Sequence, residues 1–446
     1  MTKNAIQLSD HFGYRKLLRF SLPSIAMMMF TSIYGVVDGF FISNYVGETA
    51  FAAVNLILPY CMAFGAIGSL FGVGGSALVA FVRGQGDEVR ANRIFSLLVY
   101  SMIAVGLVTE LVSQLLLTRA AVLLGADEQL FPICIRYGRL FLLTQPAFIL
   151  QFAFQSFLIN AERPKLGLLF TFSAGVGNMI LDGLLVGVLG LGVEGAAAAT
   201  CAGQCVGGIG PLLFFVFTRN SPLKLGKTSF MPRELLKSAS NGIADFITNL
   251  AMSVVNMVFN LQLMKYIGEY GVSAYGIIMY VSFIFISVFL GFSMGVSPVF
   301  SFHYGAGNYD ELKGLFRRSI LLMICFSFGL AGAAELSAKG LASLFASYDA
   351  AFLALSTRAL RIYFIGYFFA GIGVFGSCLF AALNNGPLSG ILSAMRLFVF
   401  QLSAVFLLPC AFGSDGIWLA VPVSEVCVMI LTVLVFIRNK NKYHYA

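Results

Sequence analysis

Two carboxylates stand in long apolar stretches of this sequence, where an ion is costly to keep. Asp38 is the only charged residue between Arg19 and Glu48, and Asp182 is alone in a similarly long uncharged stretch. Asn178 precedes Asp182 by four residues, so a helix places both side chains on one face. A carboxylate in hydrocarbon costs at least a few kcal/mol and therefore faces a bundle interior or a wet cavity.

Together with Thr200, one helix later, these side chains predict a cation-binding site. Two carboxylates, an amide oxygen and a hydroxyl form a suitable oxygen cage for Na+, or a pair of acids that shares one proton. Hydrogen bonding that only holds helices together is the alternative, and the spacing leaves both interpretations open. Either cation would neutralise the acids, and that step can couple ion entry to transport.

The rest of the chain must position these residues inside a membrane. Of its 446 residues, 59% are apolar and 11% are charged, whereas soluble proteins carry about a quarter charged residues. The mean hydropathy is +0.89. Apolar stretches recur along the whole length, each long enough to cross roughly 30 Å of hydrocarbon as a helix. The predicted fold class is an all-α polytopic membrane protein.

Twelve transmembrane helices are predicted between the polar junctions. Their approximate bounds are 17–43, 51–82, 94–118, 131–159, 166–190, 194–218, 235–263, 272–302, 316–338, 357–383, 387–411 and 415–437. No stretch between them is long and polar enough to form a separate globular domain. The polar opening of the sequence leads directly into the first span, so we expect that span to be retained.

The two halves of the chain repeat each other when the sequence is shifted by 221 positions. The residues that coincide include Tyr45 with Tyr266, Gly47 with Gly268, Gly74 with Gly295 and Gly84 with Gly305. We therefore predict an N-terminal six-helix lobe over 1–217, a cytoplasmic linker over 218–234 and a C-terminal six-helix lobe over 235–446. Such lobes share one orientation and enclose a substrate cavity between them. Phe259 coincides with Asp38, so the second lobe lacks the cation cluster.

Positive charge predicts the orientation of the chain. Most of the 28 Lys and Arg residues fall before the first span, at the even-numbered junctions and after the last span. Positive residues stay in the cytoplasm, so both termini are expected there, in the cytoplasmic (inner) membrane of a bacterium. The formal net charge of +8 reflects this bias, and no nucleic-acid partner is expected.

Other ionisable residues also fall within the predicted helices. Asp245 and Glu425 are candidates for the wall of a cavity in the C-terminal lobe. Glu110 and Glu335 lie near span ends, which favours structural roles. Arg396 is the only base clearly inside a span. Intramembrane charges of this kind mark functional sites by default.

The sequence gives little support for an enzyme. It has three His residues, and its acidic pairs at 87–88 and 310–311 precede helices, where they are expected to act as caps. The segment GLGVEG at 190–195 fits a dinucleotide-binding pattern, but it lies between two membrane helices with no strand before it. We therefore expect no cofactor beyond a coupling ion, H+ or Na+.

Several segments resemble the multidrug and toxic compound extrusion (MATE) family. The family's helix 8–9 junction is similar to VSPVFSFHYGAGNYDELKGLFRRS at 296–319. Its first helix is similar to SLPSIAMMMFTSIYGVVDGFFISNYVG at 21–47, including a Pro and the acid at Asp38. The starts of its helices 4 and 10 resemble RYGRLFLLTQPAF at 136–148 and RIYFIGYFFAGI at 361–372. The resemblance covers nearly the whole chain and points to the MepA-like bacterial branch.

This resemblance implies a twelve-helix, two-lobed exporter that exchanges drugs for H+ or Na+. Some family members have a cation site in the N-terminal lobe, and its two Asp, one Asn and one Thr match Asp38, Asp182, Asn178 and Thr200. A tyrosine of the surrounding network matches Tyr137. Gln155 stands where such members often have Asn.

The predicted function is a cation-coupled antiporter, not an enzyme, that exports amphipathic and often cationic drugs and toxic compounds. A lipid-linked oligosaccharide flippase of the same superfamily is the alternative, although such proteins usually carry more bases in their cavity than Arg396 alone. An integral membrane transferase is a remote alternative. The expected partners are small-molecule drugs and the lipid bilayer, and we expect a monomer.

Overall fold

The computed structural model describes residues 6–218, 220–346 and 349–446, and over this part of the chain it contains helices and no strand. The predicted all-α class is therefore confirmed. The α-helices are α1 (Tyr14–Phe41), α2 (Glu48–Ala63), α3 (Gly65–Gly84), α4 (Glu88–Leu123), α5 (Leu130–Leu142), α6 (Gln145–Asn160), α7 (Pro164–Asp182), α8 (Gly192–Phe217), α9 (Pro232–Tyr266), α10 (Glu269–Gly305), α11 (Tyr309–Ala346), α12 (Ala350–Phe364), α13 (Tyr367–Ala382), α14 (Gly386–Ala394), α15 (Leu402–Phe412) and α16 (Ser414–Tyr443).

These helices form membrane-length segments in the predicted order. Nine stretches within the described ranges are continuous, long and apolar enough to cross a membrane, and α2–α3 and α14–α15 each count as one of them. Two more segments are bent pairs, α5–α6 at 58° and α12–α13 at 46°. α1 precedes these eleven segments and is not one of them, although its 28 residues extend about 42 Å at 1.5 Å per residue.

The spans predicted over 131–159 and 357–383 are each broken by a bend and are not continuous helices. In the first pair, Pro146 lies in the first turn of α6 and has no backbone N–H with which to continue the hydrogen bonding of α5. In the second pair, the break falls at Ile365 and Gly366. Each of these spans therefore crosses the bundle as two short helices that differ in direction.

Three π-helical segments lie beside the intramembrane polar residues. Ile42–Val46 follows Asp38 by one turn, Gly183–Val188 begins directly after Asp182, and Met395–Gln401 contains Arg396. π-Helical turns are rare and occur mostly at functional sites, because an extra residue redirects the side chains near it. The backbone thus departs from regular α-helix beside the charged residues that lie within the membrane-spanning segments.

The two bundles meet at glycines through direct backbone contact. A Cβ on Gly242 of α9 would lie 1.8 Å from the carbonyl oxygen of Leu70 on α3, and one on Gly74 would lie 2.0 Å from that of Ser238. A second reciprocal pair, between α3 and α10, is Gly84 and Gly305. Small residues let helices approach closely in lipid, where association depends on packing. We call these four glycines the glycine seam.

The chain ahead of α1 links both bundles at one end of the molecule, which carries many of the basic residues and is called here the basic end. The Leu8 N–H donates to Glu162 of the first bundle (3.3 Å), and the Phe12 N–H donates to Glu311 of the second (2.9 Å). His11 Nδ1 lies 2.5 Å from the other carboxylate oxygen of Glu311. Both halves are therefore hydrogen-bonded to the same short segment.

The acidic pairs at the helix starts differ in what they do. Asp87 accepts a hydrogen bond from the Arg90 N–H (2.9 Å) and caps α4, as predicted. At the start of α11, Asn308 accepts from the Glu311 N–H (3.3 Å), so an amide takes the capping position there. The carboxylate of Glu311 binds the N-terminal segment instead.

Substitution of Gly242 by Ala is expected to disturb the glycine seam. The new methyl group would overlap backbone that cannot move independently, and overpacking of this kind costs roughly 1–3 kcal/mol or more. We expect a melting temperature several degrees lower in detergent. Gly329→Ala on α11 is the matched control, because nothing lies within 4 Å of its added Cβ. Equal melting temperatures for the two variants would contradict the seam.

Candidate functional site

Three helices of the first bundle bring the predicted cation ligands together. Asp38 comes from α1, Asn178 and Asp182 come from α7, and Thr200 comes from α8. α7 packs against both other helices. Gly203 allows the close approach of α8, because a Cβ there would lie 3.0 Å from the Ala174 carbonyl oxygen.

The polar side chains of this cluster form two contacting pairs. The carboxyls of Asp38 and Asp182 lie within hydrogen-bonding reach. Asn178 Nδ2 is 3.5 Å from Thr200 Oγ1, and the Thr200 hydroxyl donates to the Ala196 carbonyl at 3.0 Å. Asp182 has no solvent exposure at all. The residues that the sequence selected by spacing therefore converge in space.

Acceptor oxygens outnumber donors in this cluster. Asp38 Oδ1, Asn178 Oδ1 and both carboxylate oxygens of Asp182 are buried and have no hydrogen-bond partner. A carboxylate only accepts, so two of them cannot satisfy each other unless one carries a proton or a cation lies between them. Unsatisfied buried polar groups are rare in folded proteins because each costs free energy. The chemistry of the cluster thus fits a small positive ion.

A cavity of about 80 Å³ reaches this cluster. Its wall includes Asp38, Asn178 and Thr200, and the rest is formed by Leu58, Met62, Phe148, Gln151, Ala174, Gly175, Gly203 and Gln204. The buried Tyr137 hydroxyl lies beside Thr200 but makes no hydrogen bond. A space of this size accommodates an ion and a few waters. The flexible Met62 side chain and the Phe148 ring form an apolar part of the wall that can contact an apolar ligand.

The glutamines of the cavity wall differ from the predicted one. Gln155 is buried on α6 but does not line the cavity, whereas Gln151, one turn earlier on the same face, does. Gln204 follows Thr200 by four residues on α8, and its Oε1 accepts a short hydrogen bond from the Thr144 hydroxyl. Gln151 lies four residues before Gln155, and Gln204 lies four residues after Thr200. This spacing of one helical turn from predicted site residues is the signal that could have identified both glutamines in the sequence.

The second bundle holds a different polar centre. Arg396 Nε and Nη2 both donate to one oxygen of Glu425, at 2.9 and 2.7 Å. The pair is buried, and it lines a cavity of about 100 Å³ together with three tyrosines, which are Tyr275, Tyr363 and Tyr367. The second oxygen of Glu425 is buried without a partner. Glu425 therefore lies on a cavity wall in the C-terminal half.

Asp245 is placed apart from this centre. It lies half-buried on α9, near Cys378 of α13, and is not among the residues that line the cavity of Glu425. Among the described residues, no group of three or more His, Cys, Asp or Glu is arranged to hold a metal ion. Any metal cation in the first bundle would therefore depend on amide and hydroxyl oxygens as well as on the two acids.

The fold and its centres define a class: a polytopic helical membrane protein of two six-helix bundles, with an intramembrane polar centre in each. The family model of MatE matches the chain twice, over residues 23–184 and 246–407. The chain belongs to the MatE family. The double match also confirms the internal repeat.

Relatives and solved structures agree with this assignment. Multidrug export protein MepA of Staphylococcus haemolyticus (strain JCSC1435) is 26% identical over 439 residues, covering 96% of this chain and 94% of the relative. MepA of Staphylococcus aureus (strain NCTC 8325 / PS 47) is 24% identical over 442 residues, covering 95% and 94%. The predicted resemblance to MATE transporters is confirmed.

Two solved structures show the same fold over the entire chain. The outward-facing conformation of a multidrug resistance MATE family transporter superposes with a TM-score of 0.93 at 22% identity and covers 100% of both chains. A transporter of the MOP superfamily from Pyrococcus furiosus superposes with a TM-score of 0.91 at 22% identity and covers 99% of both chains. The predicted two-bundle architecture is confirmed.

Loss of one member of the Arg396–Glu425 pair is expected to be worse than loss of both. Removing one partner leaves a buried charge uncompensated, at about 3–5 kcal/mol, whereas an apolar pair of similar volume is often neutral. Arg396→Met and Glu425→Met should each lower the melting temperature strongly, and the double variant should recover most of that loss. If the two single losses simply add in the double variant, the pair is not coupled.

Proposed function

We propose that this protein is a cation-coupled antiporter that exports amphipathic, often cationic, drugs and toxic compounds across a bacterial cytoplasmic membrane. The similar Staphylococcus proteins are named as multidrug export proteins, and the shared family and fold support the same activity here. The protein is a transporter rather than an enzyme. Both termini are proposed to lie in the cytoplasm, because the basic end follows the positive-inside rule.

The observation that carries this proposal is the excess of buried acceptor oxygens around Asp38 and Asp182. The cluster needs one positive charge to be stable inside the bundle, and H+ or Na+ can supply it. With Na+, the ligands are the two carboxylates with Asn178 and Thr200. With H+, the two carboxyls share a proton, which is possible because they lie within hydrogen-bonding reach of each other.

Coupling follows from what neutralisation does to α1. Without a cation, the Asp38 carboxylate is repelled by Asp182, and the pair favours a conformation that admits water or a cationic drug. A bound cation removes that repulsion and favours a conformation in which α1 packs against α7, so that the drug is released. Entry of one charge across the membrane supplies about 2.3 kcal/mol per 100 mV, besides any concentration gradient.

A lipid-linked oligosaccharide flippase is the weaker candidate. Its pyrophosphate-bearing substrate requires free positive charge in the cavity, and the intramembrane Arg396 is already bound to Glu425 at two nitrogens. The cavity in the first bundle is lined by acids, amides and apolar side chains, with no base. This composition suits a cationic or neutral amphipathic substrate better than an anionic one.

Asp38→Asn and Asp182→Asn are each expected to abolish export while the protein still reaches the membrane. Asn has nearly the same volume as Asp but cannot exchange a proton or carry the charge that holds Na+. The measurement is dye efflux from cells that lack their own exporters, at matched protein amounts. Glu110→Gln is the control, because that acid lies on α4 outside the cluster and should retain efflux. Wild-type efflux from both Asn variants would defeat the proposed site.

The coupling ion can be identified in proteoliposomes. A pH gradient and a Na+ gradient are imposed separately, and dye movement is followed in wild type and Asp38→Asn. One of the two gradients should drive uptake or release in wild type, and the response should disappear in the variant. Transport that ignores both gradients would contradict antiport.

A further inference from the structure

A cavity of about 600 Å³ lies at the basic end of the first bundle, away from both polar centres. The starts of α1 and α7 and the last turns of α8 meet there. One part of its wall is basic and is formed by Arg19, Arg163 and Lys165. The other part is apolar and is formed by Phe20, Leu166, Leu169 and Phe214. The volume is in the range of about 300–1,000 Å³ that is typical of ligand pockets.

The three bases have no partner within the described chain. Four other bases at this end are paired with nearby acids: Lys16 with Asp10, Arg83 with Glu162, Arg90 with Glu234 and Arg318 with Glu311. No hydrogen bond or ion pair involves the side chains of Arg19, Arg163 or Lys165. All three side chains are exposed, so they can bind an anion from outside the chain.

Glu162 also touches the cavity but does not cancel its positive charge. Arg83 Nη2 lies 3.0 Å from Glu162 Oε1, and the Leu8 N–H donates to the same oxygen at 3.3 Å. Arg83 is itself buried and cannot turn away to another partner. The cavity therefore carries net positive charge, because Arg83 neutralises Glu162.

The apolar wall continues into the surface that faces acyl chains. Leu169 is 57% exposed and Leu213 is 48% exposed, and both lie about one turn inside the ends of α7 and α8. Phe172 and Phe217 extend the same exposed surface. Exposed apolar residues on membrane helices contact lipid, so the basic part of the cavity lies at the level of the headgroups.

We infer that this cavity is a binding site for an anionic phospholipid. The phosphate diester is bound by Arg19, Arg163 and Lys165, and the acyl chains lie along Leu169 and Leu213. Clusters of bases between membrane helices at the headgroup level suit anionic headgroups. A free phosphate ion is also an anion that the bases could bind, but it has no apolar surface to pack against the apolar wall. The lipid is therefore favoured. The site is independent of the proposed export function.

The test is lipid binding by the purified full-length protein, measured by native mass spectrometry with phosphatidylglycerol and phosphatidylcholine. Wild type is expected to bind phosphatidylglycerol preferentially. Each base near an anionic lipid contributes about fivefold in affinity. The variant Arg19→Gln/Arg163→Gln/Lys165→Gln should therefore lose up to about 100-fold of that affinity, with little change for phosphatidylcholine. No gradient is applied, so a failure of export would not affect the result.

The matched control is Lys224→Gln/Lys227→Gln/Arg233→Gln, which removes three exposed bases outside the cavity. Retained phosphatidylglycerol binding in this control, with loss in the cavity variant, supports the site. Equal effects of the two triple variants would overturn it. If the cavity triple variant does not fold, Arg19→Gln and Lys165→Gln are compared singly with Lys224→Gln, and each cavity variant should lose about fivefold.

Two further measurements distinguish a lipid phosphate from a free phosphate ion: competition by inorganic phosphate, and a substitution in the apolar wall. Leu169→Asn should weaken phosphatidylglycerol binding severalfold, and inorganic phosphate should not displace the lipid at comparable concentrations. Displacement by inorganic phosphate together with an unaffected Leu169→Asn variant would overturn the lipid assignment, because the cavity would then recognise phosphate alone.

Discussion

The buried carboxylate pair of Asp38 and Asp182 is the constraint on which the first bundle depends. Asp38 Oδ1, both carboxylate oxygens of Asp182 and the side-chain oxygen of Asn178 are buried and receive no hydrogen bond from the protein. Hydrocarbon offers no water to replace the missing donors, so the pair suits the bound cation or shared proton proposed above. The cavity at Asp38, Asn178 and Thr200 reaches this pair, and a π-helical segment follows each acid.

Sequence alone predicts the class, the repeat and the four clustered residues, because each has a strong local signal. Lone acids in apolar runs and the four-residue spacing of Asn178 and Asp182 are such signals. Gln155, which the family resemblance indicated, shows the limit, since Gln151 shares its helix face and only packing decides which of the two reaches the cavity. The bend at Gly366 and the binding of the N-terminal segment by Glu311 depend on contacts between distant parts of the chain, which spacing does not reveal. The lobe boundaries at 218–234 stay a prediction.

The two halves keep one architecture while their polar centres have diverged. Phe259 coincides with Asp38 in the repeat, so the second half cannot form the same cluster. Gln204 and Glu425 also differ by 221 positions and both line cavities, one as a neutral amide and the other as an acid bound to Arg396. The first centre therefore has uncompensated negative charge, whereas the second is a neutralised pair. In the proposed antiporter, this asymmetry assigns cation exchange to the first centre.

The segment ahead of α1 has a consequence for the timing of transport. If the bundles rock apart at the basic end, the bonds from Leu8 to Glu162 and from Phe12 to Glu311 cannot both survive, because they are anchored on opposite sides of the gap. Any opening at that end would therefore have to break at least one of the bonds made by residues 8–12. In the proposed transporter, the free energy of breaking that bond would add to the cost of opening, whichever ion or drug is carried.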